Sequence, residues 1–220
     1  MKINMTKEAK IIFSITMCVV IAVVILMIIS PKQMQPAQTA VDMTHVLNAT
    51  SHMTGTTTAK VTIVEFGDYE CPACAEVNST MDQIVAIYGK NPNFNFVFRN
   101  FPLPQHNNAQ IAAEAAEAAG AQGKFWQMHD LLYANQNDWV NSTTPIDFFV
   151  QYATTLGLDT VKFKEQVLAG KYADFINADQ NDGNAINVQW TPSIYINGVL
   201  QQQTPTLDQF KTQIDTLLAQ

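Results

Sequence analysis

The chain has 220 residues, of which 47% are hydrophobic, so it can form one sizeable folded domain with an appendage and is not a largely disordered protein. The chain has a formal net charge of −7, and its residues 60–220 alone carry 8 Lys/Arg against 17 Asp/Glu, which argues against nucleic acid and against anionic lipid surfaces as partners of this part.

The first predicted element is a membrane anchor at residues 11–29, an apolar stretch without a charged residue. A helix of that length reaches roughly 28 Å, close to the hydrocarbon thickness of a bilayer. The stretch is longer than the apolar core of a typical signal peptide and no A-x-A-like cleavage site follows it, so we expect an uncleaved anchor. Cys18 lies within the stretch and is interpreted as a small apolar packing residue.

The charges that flank the anchor predict its orientation. Three lysines precede it and one follows it closely: Lys2, Lys7 and Lys10, then Lys32. The positive-inside rule therefore places residues 1–10 in the cytoplasm and everything after Ser30 outside. We expect a single-pass protein of the cell membrane whose folded domain lies in an extracytoplasmic compartment, away from the cytosolic thiol reductants.

Residues 30–59 are rich in Thr, Gln, Ala, Pro and Met and show no lasting periodicity, so they are predicted to form a flexible linker. The two histidines of this segment, His45 and His52, are interpreted as incidental solvated residues. The folded domain is predicted to cover residues 60–220.

The domain begins with a predicted strand–helix–strand unit. Residues 60–66 (KVTIVEF) form a β-branched apolar run typical of a buried strand, and the turn GDYECPAC leads into a helix that continues to about Tyr88. Residues 93–101 (NFNFVFRNF) alternate and carry aromatic side chains, as a second strand does. This order predicts a right-handed parallel crossover.

A helical insertion is predicted at about residues 105–185. Its helices include one with a threonine cap before Pro145, one that opens on Asp159 and closes on Gly170, and a longer one broken near Gly183. Sheet structure then returns at residues 193–196 (SIYI), an Asn-Gly turn predicts a hairpin, and a last amphipathic helix ends the chain. The predicted fold is α/β, with one sheet holding all strands.

The turn contains two cysteines, Cys71 and Cys74, that invite several interpretations. A structural zinc site needs four ligands, and the chain has no second C-x-x-C and no H-x₃₋₅-H; a copper carrier needs only two thiolates. A purely structural disulfide would close so short a loop that its stabilising effect would be modest. A redox-active pair is the interpretation for which the position of the two cysteines in the chain supplies a chemical mechanism.

In the redox interpretation, Cys71 lies at the N-terminus of a helix, where unpaired N–H groups and the helix dipole stabilise a thiolate. Pro72 suits the first turn because it lacks an N–H. Cys71 is then the attacking sulfur, and Cys74, one turn further, is the shielded sulfur that resolves a mixed disulfide. Pro192, just before a predicted strand, indicates a special backbone position such as a cis bond.

Four stretches together resemble the DsbA-like thioredoxin-fold proteins, in particular their membrane-anchored bacterial forms: VEFGDYECPAC, FRNFPLPQHNNAQIAAEAAEAAGAQGKFWQMHDLLY, LGLDTVKFKEQVLAG and TPSIYING. The resemblance covers nearly all of residues 60–220. It implies a thioredoxin fold interrupted by a helical insertion, which agrees with the order of elements above.

The resemblance also implies roles for individual residues. Cys71 matches the nucleophilic cysteine, Cys74 the resolving one, and Pro192 the cis-proline that faces them. Thr191 would pair through its backbone with an extended substrate segment, and Glu65 matches the buried acid that relays the proton of Cys74. A strand residue facing water is the alternative for Glu65.

Other residues near the motif are assigned to client binding or to the redox potential of the pair. Tyr69 and Phe66 are predicted to form an apolar rim for unfolded clients, and Trp190 to line a substrate groove. Ala73 is a departure from the strongly oxidising members, which carry histidine in that position to stabilise the reduced thiolate. A weaker oxidant is therefore expected.

The function expected from the sequence is that of a membrane-anchored, extracytoplasmic thiol–disulfide oxidoreductase that introduces disulfides into exported proteins. Its partners would be unfolded or thiol-bearing clients and, by resemblance, a quinone-linked thiol oxidase in the membrane; no metal or organic cofactor is implied. A reductase or isomerase that uses the same site, a non-enzymatic metal or copper carrier, and a tethered binding module with a structural disulfide remain as alternatives.

Overall fold

The computed structural model describes Phe13, Thr16, Met17 and residues 40–42, 46–47 and 52–220. The predicted cytoplasmic segment, nearly all of the predicted anchor at 11–29 and most of the linker, including His45, lie outside these residues. Within the described part of the chain, no helix combines the length and the apolar composition that crossing a membrane requires. Phe13, Thr16 and Met17 are helical and belong to a unit separate from the larger one, which contains the described residues from 40 onward.

The larger unit is built on one mixed sheet, in which the described strands lie in the order β1-β3-β2-β4-β5. They are β1 His52–Met53, β2 Val61–Gly67, β3 Phe94–Asn100, β4 Ser193–Ile196 and β5 Val199–Leu200. The central strands β2 and β3 are parallel, as the crossover prediction requires, and β4 is antiparallel to β2. Asn197 and Gly198 both have positive φ and form the predicted turn between β4 and β5.

Eight helices surround this sheet in the described residues. They are α1 Pro72–Tyr88, α2 Ala109–Gly120, α3 Phe125–Ala134, α4 Gln136–Trp139, α5 Pro145–Thr155, α6 Thr160–Leu168, α7 Ala173–Ala185 and α8 Leu207–Ala219. Six of them, α2 to α7, lie between β3 and β4, so the predicted helical insertion is confirmed. The Asp159 side chain accepts a hydrogen bond from the Lys162 amide and caps α6 as expected.

Both faces of the sheet are covered, and alternate residues of β2 therefore enter different cores. Val61 and Ile63 pack with α1 and α8, whereas Val64 and Phe66 pack on the other face with Val188 and other apolar residues. A third core joins the alanine-rich α2 and its neighbours to the cysteine turn at the end of β2. The helical insertion thus packs directly against the residues that carry the cysteine motif.

The folded unit begins earlier than the predicted boundary at residue 60. His52 is part of β1, which pairs with β3, and Val46 is fully buried. The interpretation of His52 as an incidental solvated residue is wrong, because its ring stacks on Phe125 at 3.4 Å and its Nε2 lies 2.9 Å from Glu117 Oε2. A histidine so placed ties the end of the predicted linker to the insertion.

The predicted break near Gly183 is also wrong, since α7 runs through it without interruption. The glycine serves close packing instead: a Cβ at this position would lie 2.8 Å from the ring of Phe101 and 3.0 Å from that of Phe66. The absence of a side chain therefore lets α7 approach the sheet closely.

The insertion is fixed to the sheet by the chain's single arginine. Arg99 of β3 is fully buried; its Nε donates to Asp179 Oδ1 at 2.6 Å and its Nη2 to Asp182 Oδ2 at 2.5 Å, both on α7. Its Nη1 donates to the carbonyl oxygen of Val46 at 2.5 Å. A buried guanidinium that is satisfied on three sides holds β3, α7 and the N-terminal segment in one arrangement.

Candidate redox site

The cysteine pair lies where β2 ends and α1 begins. Cys71 is the N-cap of α1, with the extended backbone typical of that position (φ −72°, ψ 121°), and Pro72 is the first helical residue. The Cys71 carbonyl accepts hydrogen bonds from the amides of Cys74 and Ala75. Both cysteines carry free thiols, so the structure describes the dithiol form.

Cys71 is the more accessible of the two sulfurs, although only 7% of the residue is exposed. Its Sγ lies 3.4 Å from the carbonyl oxygen of Thr191, to which the protonated thiol donates. A hydrogen bond from the side chain of Cys74 lowers the pKa of Cys71 to about 5, with smaller contributions from nearby backbone amides and with burial acting against them. Cys71 is therefore a thiolate at neutral pH.

Cys74 has the opposite electrostatic character. It is fully buried, and burial is the largest cause that raises its pKa well above the ordinary value. Its hydrogen bond to Cys71 and the negative charges of Glu65 and Cys71 raise the pKa further. The backbone N–H of Asp68 donates to Cys74 Sγ at 3.5 Å and opposes this shift. The pair thus holds one thiolate and one thiol at neutral pH.

Glu65 lies on β2 beneath the motif and is 1% exposed. The prediction of a buried acid is confirmed, and the alternative of a strand residue facing water is wrong. Burial, with the charges of Cys71 and Asp82, raises the pKa of Glu65 to about 8. Among the residues that the structure describes, none is a hydrogen-bond partner of its Oε1. A carboxyl group with this pKa holds its proton at neutral pH.

The loop before β4 faces the cysteines. The Thr191–Pro192 peptide bond is cis, in agreement with the special backbone position expected at Pro192. Thr191 is mostly buried against Cys71, whereas Trp190 is 45% exposed beside it. The structure therefore brings Cys71, Cys74, Thr191 and Pro192 together, and leaves an exposed aromatic ring at the edge of this cluster.

The predicted apolar rim of Phe66 and Tyr69 is wrong, because both side chains are buried. Phe66 points to the opposite face of the sheet, where its ring contacts those of Phe101 and Tyr195 edge to face. Tyr69 packs against Phe98 of β3 and against aromatic rings of α3 in the insertion. Neither ring is available to a client on the surface.

Buried polar residues of the insertion support the motif and were not predicted. The Tyr69 hydroxyl donates to His129 Nδ1 at 3.0 Å, and His129 Nε2 donates to Asn78 Oδ1 at 2.9 Å. Burial lowers the pKa of His129 to about 3, so the imidazole is neutral, as this pattern requires. Gln136 Nε2 donates to the carbonyl oxygens of Tyr69 and Cys71 at 2.8 and 3.0 Å. Nothing local in the sequence marks these long-range partners.

Among the residues that the structure describes, no group of three or more His, Cys, Asp or Glu side chains is arranged to hold a metal ion.

Comparison with known proteins gives a family and several similar folds. Residues 47–216 match the family described as thioredoxin. The crystal structure of oxidised BdbD from Bacillus subtilis superposes with a TM-score of 0.70 at 24% identity, covering 83% of this chain and 98% of that one. That of α-DsbA1 from Wolbachia pipientis superposes with a TM-score of 0.70 at 18% identity, covering 79% and 93%.

The similar curated proteins are much longer than this chain. The Na⁺/H⁺ antiporter NhaA 1 of Salinispora arenicola is 39% identical over 148 residues, which are 67% of this chain and 22% of the antiporter. The NhaA antiporter of Herminiimonas arsenicoxydans is 30% identical over 147 residues, with the same shares. The chain therefore spans about a fifth of the length of these relatives.

Proposed function

The chain belongs to the thioredoxin family, and on that premise we propose that it is an enzyme that exchanges thiols and disulfides in client proteins. Its fold is that of the DsbA-like proteins that the sequence resembles. In the finer form of the proposal, it is a membrane-anchored oxidase that introduces disulfides into exported proteins through Cys71 and Cys74.

The observation that carries the proposal is the contrast between two sulfurs in one helical turn. Cys71 has a lowered pKa, about 5, whereas the pKa of the buried Cys74 is raised. Disulfide exchange requires a thiolate that attacks or leaves easily and a second sulfur that stays protonated until it is needed. A structural disulfide needs no such contrast.

In the proposed reaction, a client thiolate attacks the Cys71 sulfur of the oxidised enzyme. The new bond joins the client to Cys71, the Cys71–Cys74 bond breaks, and Cys74 leaves as a thiolate that takes up a proton. A second client thiolate then attacks the client sulfur of this mixed disulfide and expels Cys71 as its stable thiolate. The client loses two electrons and gains a disulfide, and the enzyme ends as a dithiol.

Glu65 is the proton donor for the departing Cys74 sulfur in this scheme. Its pKa of about 8 means that the carboxyl group is mostly protonated at pH 7 and needs little driving force to give the proton up. In the reverse reaction the carboxylate would remove the proton from Cys74.

Clients would bind beside Cys71. The backbone of Thr191 pairs with an extended client segment, and the exposed ring of Trp190 gives this segment an apolar neighbour. The apolar, charge-free residues 11–29 and the lysines before them favour an anchor with the domain outside the cytoplasm. A quinone-linked thiol oxidase of the same membrane would return the enzyme to its disulfide form.

The test is a client peptide with two cysteines, mixed with the oxidised protein. We expect stoichiometric conversion of the peptide to its disulfide form, and no conversion with Cys71→Ser or Cys74→Ser. With an oxidised peptide, reduced Cys74→Ser should accumulate a mixed disulfide at Cys71. A wild-type protein that fails to exchange disulfides with any dithiol peptide would refute the proposal.

The direction of electron flow is tested by the redox potential of the pair. Thioredoxin, with a cysteine pKa of about 7, has a potential of about −270 mV, and DsbA, with about 3.5, has about −120 mV. The intermediate pKa of Cys71 favours a potential between these values. A potential at or below about −270 mV would instead support the reductase alternative.

A further inference from the structure

Asp68 lies in the turn between β2 and the cysteine motif, and its backbone contacts both cysteines. Its N–H donates to Cys74 Sγ at 3.5 Å, and its carbonyl oxygen accepts from the Cys71 amide at 3.1 Å. Residue 68 is therefore the one point of this turn that is hydrogen-bonded to both members of the redox pair among the described contacts.

The side chain of Asp68 is buried and held from two parts of the chain. Its Oδ1 accepts from the Glu70 amide at 2.7 Å, within the turn. Its Oδ2 accepts from the Leu103 amide at 2.8 Å and from His106 Nδ1 at 2.7 Å, both on the segment that follows β3. Because each bond has a charged acceptor and a different direction, together they fix the orientation of residue 68.

His106 is the outermost part of this arrangement. The His106 side chain is 20% exposed to solvent, whereas the Asp68 side chain is fully buried. His106 lies 32 residues beyond the second cysteine, so no local pattern in the sequence connects it to the motif. Its contact with Asp68 connects the solvent-facing start of the insertion to the buried sulfur through a single residue.

We propose that Asp68 is a positioning residue for the resolving cysteine and that His106 holds it in place. This inference rests on the proposed function. When the Cys71–Cys74 bond opens, or when Cys74 attacks a mixed disulfide, Cys74 carries negative charge, and an N–H donor already aimed at its sulfur stabilises that charge. Asp68 aims this donor, because its carboxylate locks the peptide plane that carries it.

A direct effect of the Asp68 charge would have the opposite sign. A carboxylate near Cys74 disfavours the thiolate, so its loss would speed attack by Cys74. Loss of the positioned N–H slows that attack. The direction of the change therefore separates positioning by the backbone from simple charge repulsion.

The experiment follows oxidation of the reduced full-length protein by oxidised glutathione. In the first step the Cys71 thiolate attacks glutathione disulfide, forms a mixed disulfide at Cys71 and releases one glutathione thiolate. In the second step Cys74 attacks the Cys71 sulfur, forms the Cys71–Cys74 disulfide and releases the second glutathione. Rapid acid quenching and mass spectrometry of the peptide that contains both cysteines give the rate of each step.

We expect His106→Ala to slow the second step about fivefold, the effect of weakening one hydrogen bond, and to leave the first step within about twofold of the wild-type rate. His106→Asn, whose Nδ2 can occupy the position of the histidine Nδ1, should restore most of the second rate. Asp68→Asn replaces an acceptor by a donor facing the Leu103 amide and should slow the second step further.

His52→Ala is the matched control, because it also removes a histidine from a histidine–carboxylate pair, with Glu117, but does not contact the motif. It should leave both rates unchanged. An unchanged or faster second step in His106→Ala would overturn the inference, as would an equal slowing of both steps. These results are distinct from failure of the proposed function, which would appear as a wild-type protein unable to oxidise a dithiol peptide.

Discussion

Replacing Glu65 by glutamine is expected to stabilise the protein and to slow its reaction. In the folded dithiol form, burial raises the pKa of Glu65 from 4.5 to about 8. Since the carboxyl group of the unfolded chain keeps its ordinary pKa, the folded state binds more protons between about pH 4.5 and 8. The contribution of Glu65 to stability is therefore favourable at low pH and is lost as the pH rises through this range.

The size of the effect follows from the same pKa. At pH 7 the carboxyl group is held protonated about 2.5 pH units above its unfolded pKa, which corresponds to about 3 kcal/mol at 1.36 kcal/mol per unit. Glutamine is neutral at every pH and avoids this cost. We expect Glu65→Gln to be more stable than wild type by up to about 3 kcal/mol at pH 7, and the difference to vanish near pH 4.5.

Urea unfolding under reducing conditions at pH 4.5, 6, 7 and 8 measures this difference. The Cys71 thiolate also makes stability pH-dependent, with the opposite sign, but it is present in both proteins and largely cancels. Asp82→Asn is the control, since Asp82 is exposed and contributes least to the pKa of Glu65. A stability difference that stays constant with pH would refute the argument that a buried, protonated carboxyl group lies here.

The same variant tests the proton relay. Glutamine cannot give a proton to Cys74, so single-turnover oxidation of a dithiol peptide by the disulfide form should slow on the order of 100-fold at pH 7. Asp82→Asn should remain near the wild-type rate. A Glu65→Gln protein that is more stable and equally fast would mean that Glu65 is buried without taking part in the reaction.

Three further predictions concern the thiolate, the buried arginine and a close contact. The rate of Cys71 alkylation by iodoacetamide should rise with pH with a midpoint near pH 5. This midpoint should shift to higher pH in Cys74→Ala, because the Cys74 side chain contributes most to the lowered pKa. A midpoint near pH 9 in the wild type would contradict this. Arg99→Met leaves buried aspartate without its partner, and urea titration should show a loss of about 3–5 kcal/mol, with Arg99→Lys intermediate; an equally stable Met variant would show that the ion pairs contribute nothing. Gly67→Ala should lower stability by roughly 1–3 kcal/mol and the melting temperature with it, since its Cβ would lie 2.4 Å from the ring of Phe98; an unchanged melting temperature would mean that the ring moves freely.

Much of the fold could be predicted because it depends on local patterns. The strand expected at 60–66 is Val61–Gly67, and the helix expected to end at about Tyr88 ends there. The Asn197-Gly198 turn was predicted because its positive φ angles favour these two residue types. The redox pair was found in the same way, since a C-P-x-C motif after a strand places one sulfur at a helix N-terminus whatever the rest of the fold.

The errors in the prediction have a common physical cause. Phe66 and Tyr69 were placed at the surface because they flank the motif, but β2 is covered on both faces and the insertion closes over the turn. His52 was assigned to a flexible linker because its partner, Glu117, is 65 residues away. Contacts of this kind have no local signal in a single sequence, so neither the covered faces nor the buried pairs could be foreseen.

These long-range contacts change the interpretation of the helical insertion. His106, His129 and Gln136 all belong to it, and together they are hydrogen-bonded to three residues of the turn between β2 and α1: Asp68, Tyr69 and Cys71. An insertion that merely covered the site would contact the turn through apolar surface. An insertion that forms hydrogen bonds with three nearly consecutive residues fixes the backbone that carries the two sulfurs. Because the N–H donors of that backbone stabilise negative charge on sulfur, the insertion helps to determine the reactivity of the cysteine pair.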